Sequence, residues 1–226
     1  MKALLLIGSP RMKRSASFAL GQYLLDQLAE HDVARETHFV KKDLRSDEAT
    51  DDLVAAVAQA DVVILSTPLY VDSLPAPVTR ALEILSQHLD QSNHSARQQF
   101  VAICNSGFPE AEHNDIALAI CEQFAHATGF TWAGGLALGG GGVVQGRPLT
   151  ESEGRARNVI TALDQTAEAL ARGDAVPEEA QALMRKPIIP PWMYRTIGQI
   201  GWHVQARTYG QFGKLRQRPW AASTKD

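Results

Sequence analysis

Hydroxyls and cations crowd one short stretch near the start of the chain: Gly8-Ser9-Pro10-Arg11-Met12-Lys13-Arg14-Ser15-Ala16-Ser17. Ser9, Ser15 and Ser17 offer hydroxyl donors, and Arg11, Lys13 and Arg14 carry positive charge. The apolar run Ala3–Ile7 precedes this stretch and an amphipathic pattern, Phe18–Ala29, follows it. The stretch therefore joins a buried strand to a helix. The first amides of a helix have no partner inside it and sit at the positive end of its dipole. A loop of this make-up is an anion site, and a phosphate is its natural occupant. The plainer reading is a strand–helix connection capped by serine.

Two further loops bear on that choice. Ser66-Thr67-Pro68-Leu69-Tyr70-Val71-Asp72-Ser73-Leu74-Pro75 follows another apolar run, and a proline fixes the turn where the strand ends. Tyr70 offers a flat, rigid surface for a planar ring, and the backbone around Leu69 and Val71 can hydrogen-bond such a ring's polar edge. Asn105-Ser106-Gly107-Phe108-Pro109 ends a third apolar run. Other readings fail on spacing. Nothing matches GxxxxGK[ST], and Gly139–Gly142 satisfies no register of GxGxxG, because Val144 and Gln145 stand where a third glycine is needed. His113-Asn114-Asp115 falls at an expected helix start, where Asn and Asp serve as caps. No HExxH or HxH spacing suggests a metal, and none is expected.

The elements that must position these loops are legible as alternating patterns. Strand-length apolar runs occupy Ala3–Ile7, Ala34–Val40, Val62–Thr67, Phe100–Cys104 and Thr131–Leu138. Between and after them lie helical patterns over Phe18–Ala29, Asp51–Gln59, Pro75–Leu89, Glu112–Thr128 and Glu151–Arg172. In the fourth helix Ile116, Ile120 and Phe124 mark the expected buried stripe. Strict alternation implies an α/β fold, with a parallel sheet covered on both faces and right-handed crossovers. Such a sheet binds ligands at the C-terminal tips of its strands. The three loops above all lie there.

Gly8-Ser9-Pro10-Arg11 with Ser15 and Ser17, then Thr67-Pro68-Leu69-Tyr70 with Ser73-Leu74-Pro75, resembles the flavodoxin-like NAD(P)H-dependent FMN reductase family. Asn105-Ser106-Gly107-Phe108-Pro109-Glu110 resembles that family's third flavin loop, and the resemblance covers roughly residues 1–170. It implies a doubly wound five-stranded parallel sheet in order 2-1-3-4-5, with FMN at the strand tips and NAD(P)H as co-substrate. It places Ser9, Arg11, Ser15 and Ser17 on the phosphate, Pro68, Leu69, Tyr70 and Val71 against the isoalloxazine, and Asn105, Ser106 and Gly107 near its pyrimidine edge. Many members have Asn followed by Ser or Thr in the phosphate loop. Here Ser15 is followed by Ala16, so a donor is either absent or supplied by Ser17. The clustered cysteines of the related iron–sulfur flavoproteins are missing from Thr37–Asp61, and so is the Thr/Ser-x-Thr-Gly-x-Thr loop of dedicated electron carriers.

The expected activity is hydride transfer from NAD(P)H through FMN to a small acceptor such as a quinone. The flavin performs this chemistry, so no catalytic side chain is assigned. Arg11 or Arg14 would assist the nicotinamide nucleotide's phosphate. The alternatives are an electron carrier, or a binding or regulatory protein on the same scaffold.

With 226 residues, 45% of them hydrophobic, the chain has ample material for one large domain and an extension. The net charge of −3 gives no pull toward nucleic acid. Cys104 and Cys121 are far from CxxC spacing, and the apolar start is too short for a signal peptide. A cytoplasmic location is expected. Composition changes after Gly173, so 1–173 is read as the FMN-binding domain and 174–226 as a basic, Trp-rich helical extension. Residues 185–226 hold eight basic residues against Asp226 alone, a balance of +7 that leaves −10 for the rest. Met193, Ile197, Ile200 and Val204 form an apolar stripe there. A helical arm over 187–220, docked on protein rather than on a membrane, is expected, in a homo-oligomer.

Overall fold

The computed structural model describes residues 1–89, 98–144 and 148–218, apart from the side chains of Ser152, Glu153, Arg155 and Pro191. In chain order the elements are β1 (Lys2–Ile7), α1 (Ala16–Ala29), β2 (Ala34–Phe39), α2 (Val40–Asp43), α3 (Asp47–Gln59), β3 (Val62–Pro68) and α4 (Ala76–His88). They continue with β4 (Gln99–Asn105), α5 (Asp115–Thr128), β5 (Thr131–Leu138), α6 (Glu153–Ala171), α7 (Glu178–Met184) and α8 (Pro191–Thr208). The five strands form one sheet in the order β2-β1-β3-β4-β5, every pair parallel. The expected strands and their order are present, and helices cover both faces. The short α2 and α7 lie outside the helical patterns read from the sequence, being too brief to show a period.

Side chains alternate across the sheet, so each strand feeds two cores. Ala3, Leu5, Ile7, Ile64 and Ile103 pack with α1, α6 and α7. Leu4, Leu6, Val63, Leu65, Phe100 and Cys104 pack with residues of α3, α4 and α5. This two-sided burial explains why β1, β3 and β4 read as unbroken apolar runs. Tyr23 of α1 donates to Asp164 of α6 at 2.9 Å. Burial and that carboxylate push its phenol up to about 12, so it stays a donor at any ordinary pH.

α5 departs from the expected stripe. Its buried face is Ala117, Leu118, Cys121, Phe124 and Ala125, while Ile116 and Ile120 are exposed. Ala117, Cys121 and Ala125 let this helix approach the sheet closely, and of the expected stripe only Phe124 is buried. The helix ends at Gly129, whose φ of 82° is the left-handed cap that stops it.

At the edge strand, His38 lies 3.0 Å from Glu36 and 3.5 Å from Asp43. The Asp43 carboxylate, chiefly, raises the imidazole's pKa against the opposing effect of burial, with Glu36 adding to the rise. A raised folded-state value means the contribution is fully present below the ordinary histidine pKa and is lost as pH rises through the raised one. Glu36 is held low by Lys2 and then by His38, so its contribution is lost only in acid. The urea midpoint should therefore fall as pH rises from about 6.5 through that raised value, and His38→Gln should flatten that slope. A wild-type midpoint constant over this range would refute the assignment.

The chain divides by internal contacts into two units, Met1–Ile188 and Ile189–Asp226. α7 belongs to the first, with Ala180 and Met184 in its core. The second contains α8. Most of its stripe is exposed, Ile197, Ile200 and Val204 included. Residues 219 and 220 of the expected arm lie outside the described residues. No helix among the described residues is long and apolar enough to cross a membrane.

Candidate functional site

In a parallel sheet all strand tips face one way, and the chain order reverses here between β1 and β3. At that crevice lies a cleft of about 970 Å³, at the upper end of the range for small-molecule sites. Ser9, Arg11, Ser15, Ser17, Pro68, Leu69, Tyr70, Asn105, Ser106 and Gly107 line it. Val71 is absent from this lining: it stands 98% exposed at the tip of its turn. The lining also includes Met12, Lys13, Arg14, Ala16, Gly141 and Gly142.

The first wall is the β1–α1 loop. Ser15 is the helix cap: its hydroxyl accepts from the Phe18 N–H at 3.1 Å and donates to the Met12 carbonyl at 2.6 Å. That hydroxyl is engaged on both sides. The amides of Ala16 and Ser17, in the first turn, have no acceptor four residues back within the helix. Ser17 is fully buried, and its Oγ accepts from Asn105 Nδ2 at 2.8 Å, which leaves the hydroxyl's own proton to donate elsewhere. Arg11, Lys13 and Arg14 are exposed and make no ion pair among the described residues.

The second wall is the loop after β3. The Leu69 N–H donates to Asn105 O at 2.8 Å, and Tyr70 and Ser73 exchange N–H···O bonds of 2.9 and 3.2 Å. Val71 and Asp72 between them have φ of 50° and 56°, the paired positive values of a tight hairpin turn. A β-branched residue in this conformation is strained. The Tyr70–Ser73 pairing holds the turn and presents Tyr70 at the cleft mouth.

Asn105 joins the walls. Its buried amide donates to both Ser17 Oγ and the Thr67 carbonyl, at 2.8 and 2.9 Å. One side chain at the tip of β4 thus ties the phosphate-loop helix to the end of β3.

The fourth segment is the glycine run after β5. The Gly140 N–H donates to Phe108 O at 2.6 Å and the Gly141 N–H to Ser106 O at 2.8 Å. A Cβ on Gly139 would lie 2.2 Å from the Pro109 carbonyl oxygen. The run is a backbone zipper against the loop after β4. Its place in the cleft was missed because the glycines match no phosphate fingerprint. Close backbone approach was the only signal available.

Asn114 stands at the N-cap position of α5 with Asp115 in the first turn, as expected, but the Asn114 side chain makes no capping bond. It is fully buried, and its amide reaches Ala111 O at 3.0 Å and Leu138 O at 3.3 Å. Asp115 pairs instead with Arg185 at 2.7 Å. The His113 ring lies 5.0 Å from that of Phe108. The Cys104 thiol beside Asn105 is pushed well up by contact with Cys121 and by burial, so it stays protonated and is no nucleophile.

A loop of hydroxyls, helix amides and exposed cations, with an aromatic on the next strand, lines one cleft at the strand tips of a flavodoxin-like sheet. The donors suit one terminal phosphate, and the cleft beside them suits a planar ring system. The sequence profile of the family described as NADPH-dependent FMN reductase matches residues 1–133, and the chain belongs to that family. FMN is its cofactor and NAD(P)H its reductant.

Solved structures agree on the fold. An FMN-dependent NADH-azoreductase from Bacillus anthracis in complex with FMN matches at TM-score 0.55 and 12% identity, over 76% of this chain and 100% of that one. A putative quinone reductase from Klebsiella pneumoniae matches at 0.54 and 14%, over 78% and 87%. A flavodoxin from Streptococcus pneumoniae matches at 0.54 and 15%, over 76% and 99%. A search of curated proteins finds no match.

Proposed function

We propose that this reductase passes hydride equivalents from NAD(P)H to a small planar acceptor of the quinone class. The observation that carries this reading is the open cleft at the strand tips, where the phosphate loop and Tyr70 stand on neighbouring strands joined by Asn105. FMN, when bound, carries the two electrons of the hydride from reductant to acceptor.

The chain's own residues position and shield. The amides of Ala16 and Ser17, the Ser17 hydroxyl and the Arg11 side chain hold the phosphate at the positive end of α1. Ser9 supports the loop by accepting from the Arg11 N–H at 3.3 Å. Pro68, Leu69 and Tyr70 face the ring system, with Val71 shaping the turn behind them. Asn105, Ser106 and Gly107 meet the pyrimidine edge. Lys13 and Arg14 remain for the phosphates of the nicotinamide nucleotide. A cytoplasmic setting belongs to the same reading, supported by two free buried cysteines.

Anaerobic titration tests the activity. NAD(P)H should bleach the flavin absorbance, and a benzoquinone should restore it with one equivalent. A flavin left oxidised by both nicotinamide nucleotides would favour the electron carrier or the regulatory protein. Tyr70→Ala should shift the bound flavin's absorbance or fluorescence and slow its reduction. Wild-type spectra together with wild-type rates would remove Tyr70 from the site.

A further inference from the structure

Behind the cleft wall formed by the loop after β4 lies a polar side chain that does not itself line the cleft. Asn114 is fully buried. Its Nδ2 donates to Ala111 O at 3.0 Å and to Leu138 O at 3.3 Å, and Ser106 Oγ lies 3.5 Å from it. Its Oδ1 is buried as well and has no partner among the described residues. An unpaired buried acceptor costs free energy. An apolar side chain of similar size would fill the space without that cost, so what the amide contributes is its donors. Those donors do not serve the helix, because the side chain makes no capping bond.

They hold Ser106 from behind. Leu138 O accepts from both Asn114 and the Ser106 N–H, the latter at 2.9 Å. Ser106 O accepts from the Gly141 N–H at 2.8 Å, and Ser106 Oγ donates to Phe108 O at 3.2 Å. Ser106 is therefore fixed at its amide, its carbonyl and its hydroxyl. The next residue is open. Gly107 is exposed and lines the cleft, and its N–H has no backbone acceptor among the described residues. A Cβ there would meet nothing within 4 Å. The Gly107 N–H is thus a donor left for a ligand, and the peptide that carries it begins at Ser106.

We propose that Asn114 is a positioning residue for the flavin. It ties Ala111 to Leu138 behind Ser106, and so sets where the Gly107 N–H stands against the ring's pyrimidine edge. The proposal rests on the reading that places residues 105–107 at that edge. Reduction adds negative charge to the edge, so a fixed donor there holds the reduced flavin more tightly than the oxidised one. Asn114 thereby tunes the flavin's potential without touching it.

Potentiometry and hydrogen exchange on the full chain test this. Asn114→Leu removes the donors at similar volume. Oxidised FMN should then bind about threefold more weakly and reduced FMN about 30-fold more weakly, a tenfold difference that lowers the two-electron midpoint potential by about 30 mV. Arg11→Ala, which acts at the phosphate, should weaken both forms alike and leave the potential unchanged. Without flavin, the Ser106 and Gly141 amides should exchange about tenfold faster in Asn114→Leu, while those of β1 and β3 exchange at wild-type rates. Asn114→Ser, a smaller change, should move both readouts in the same direction and replaces Asn114→Leu if that variant does not fold. A wild-type potential in a folded Asn114 variant, or wild-type exchange at both amides, overturns the proposal. A Gly107 amide resonance that FMN leaves unmoved in the wild-type protein refutes the placement of the ring itself, and the proposal with it.

Discussion

Gly139→Ala is expected to cost about 3 kcal/mol of stability, the upper end for overpacking, and to raise the FMN dissociation constant about 100-fold. The added methyl would meet the Pro109 carbonyl oxygen at 2.2 Å and its carbon at 2.6 Å. Both are backbone atoms and cannot rotate away, so relief requires the two loops to part. Parting them breaks the bonds from Gly140 N to Phe108 O and from Gly141 N to Ser106 O. It also moves Ser106, Gly107, Gly141 and Gly142, which line the cleft. Gly142→Ala is the control for stability alone, since a Cβ there meets nothing within 4 Å. Urea denaturation and a flavin-fluorescence titration read the two effects. Wild-type values in both for Gly139→Ala would show that the loops yield without cost.

Ser17→Ala should weaken FMN by about 10- to 100-fold, the loss of one charge-assisted hydrogen bond of about 1.5–3 kcal/mol. Ser17 is buried at the first turn of α1, and its hydroxyl already accepts from Asn105. On the proposed binding mode its own proton is the one to meet a phosphate oxygen. The substitution also deprives the Asn105 amide of one of its two partners, so the joint between β4 and the helix loosens as well. Ser15→Ala should behave differently. That hydroxyl is engaged by Phe18 N and Met12 O, so its removal costs about 1 kcal/mol of stability as a lost cap, with the smaller effect on FMN. Unchanged FMN affinity in Ser17→Ala would overturn the phosphate assignment. Equal weakening in both variants would show that Ser15 turns toward the phosphate on binding.

Much of the architecture was determined by local pattern. β1, β3 and β4 are buried on both faces, so their runs of Leu, Ile and Val admit hardly any other reading, and alternation with helices then requires a parallel sheet. The candidate anion site was legible for a similar reason: its hydroxyls, cations and helix start are adjacent in sequence, so one stretch carries the whole signal. Tertiary structure alone decided the rest, because it depends on residues far apart in the chain. Asn105 and Ser17 are 88 residues apart, and their hydrogen bond assigns one serine to the site's framework while the other caps the helix. The glycine run after β5 became a wall of the cleft only when packed against Pro109. The outward turn of Ile116 and Ile120 followed from how closely Ala117 and Cys121 let α5 approach the sheet. Helical period alone cannot tell which of two apolar sides lies nearer the sheet.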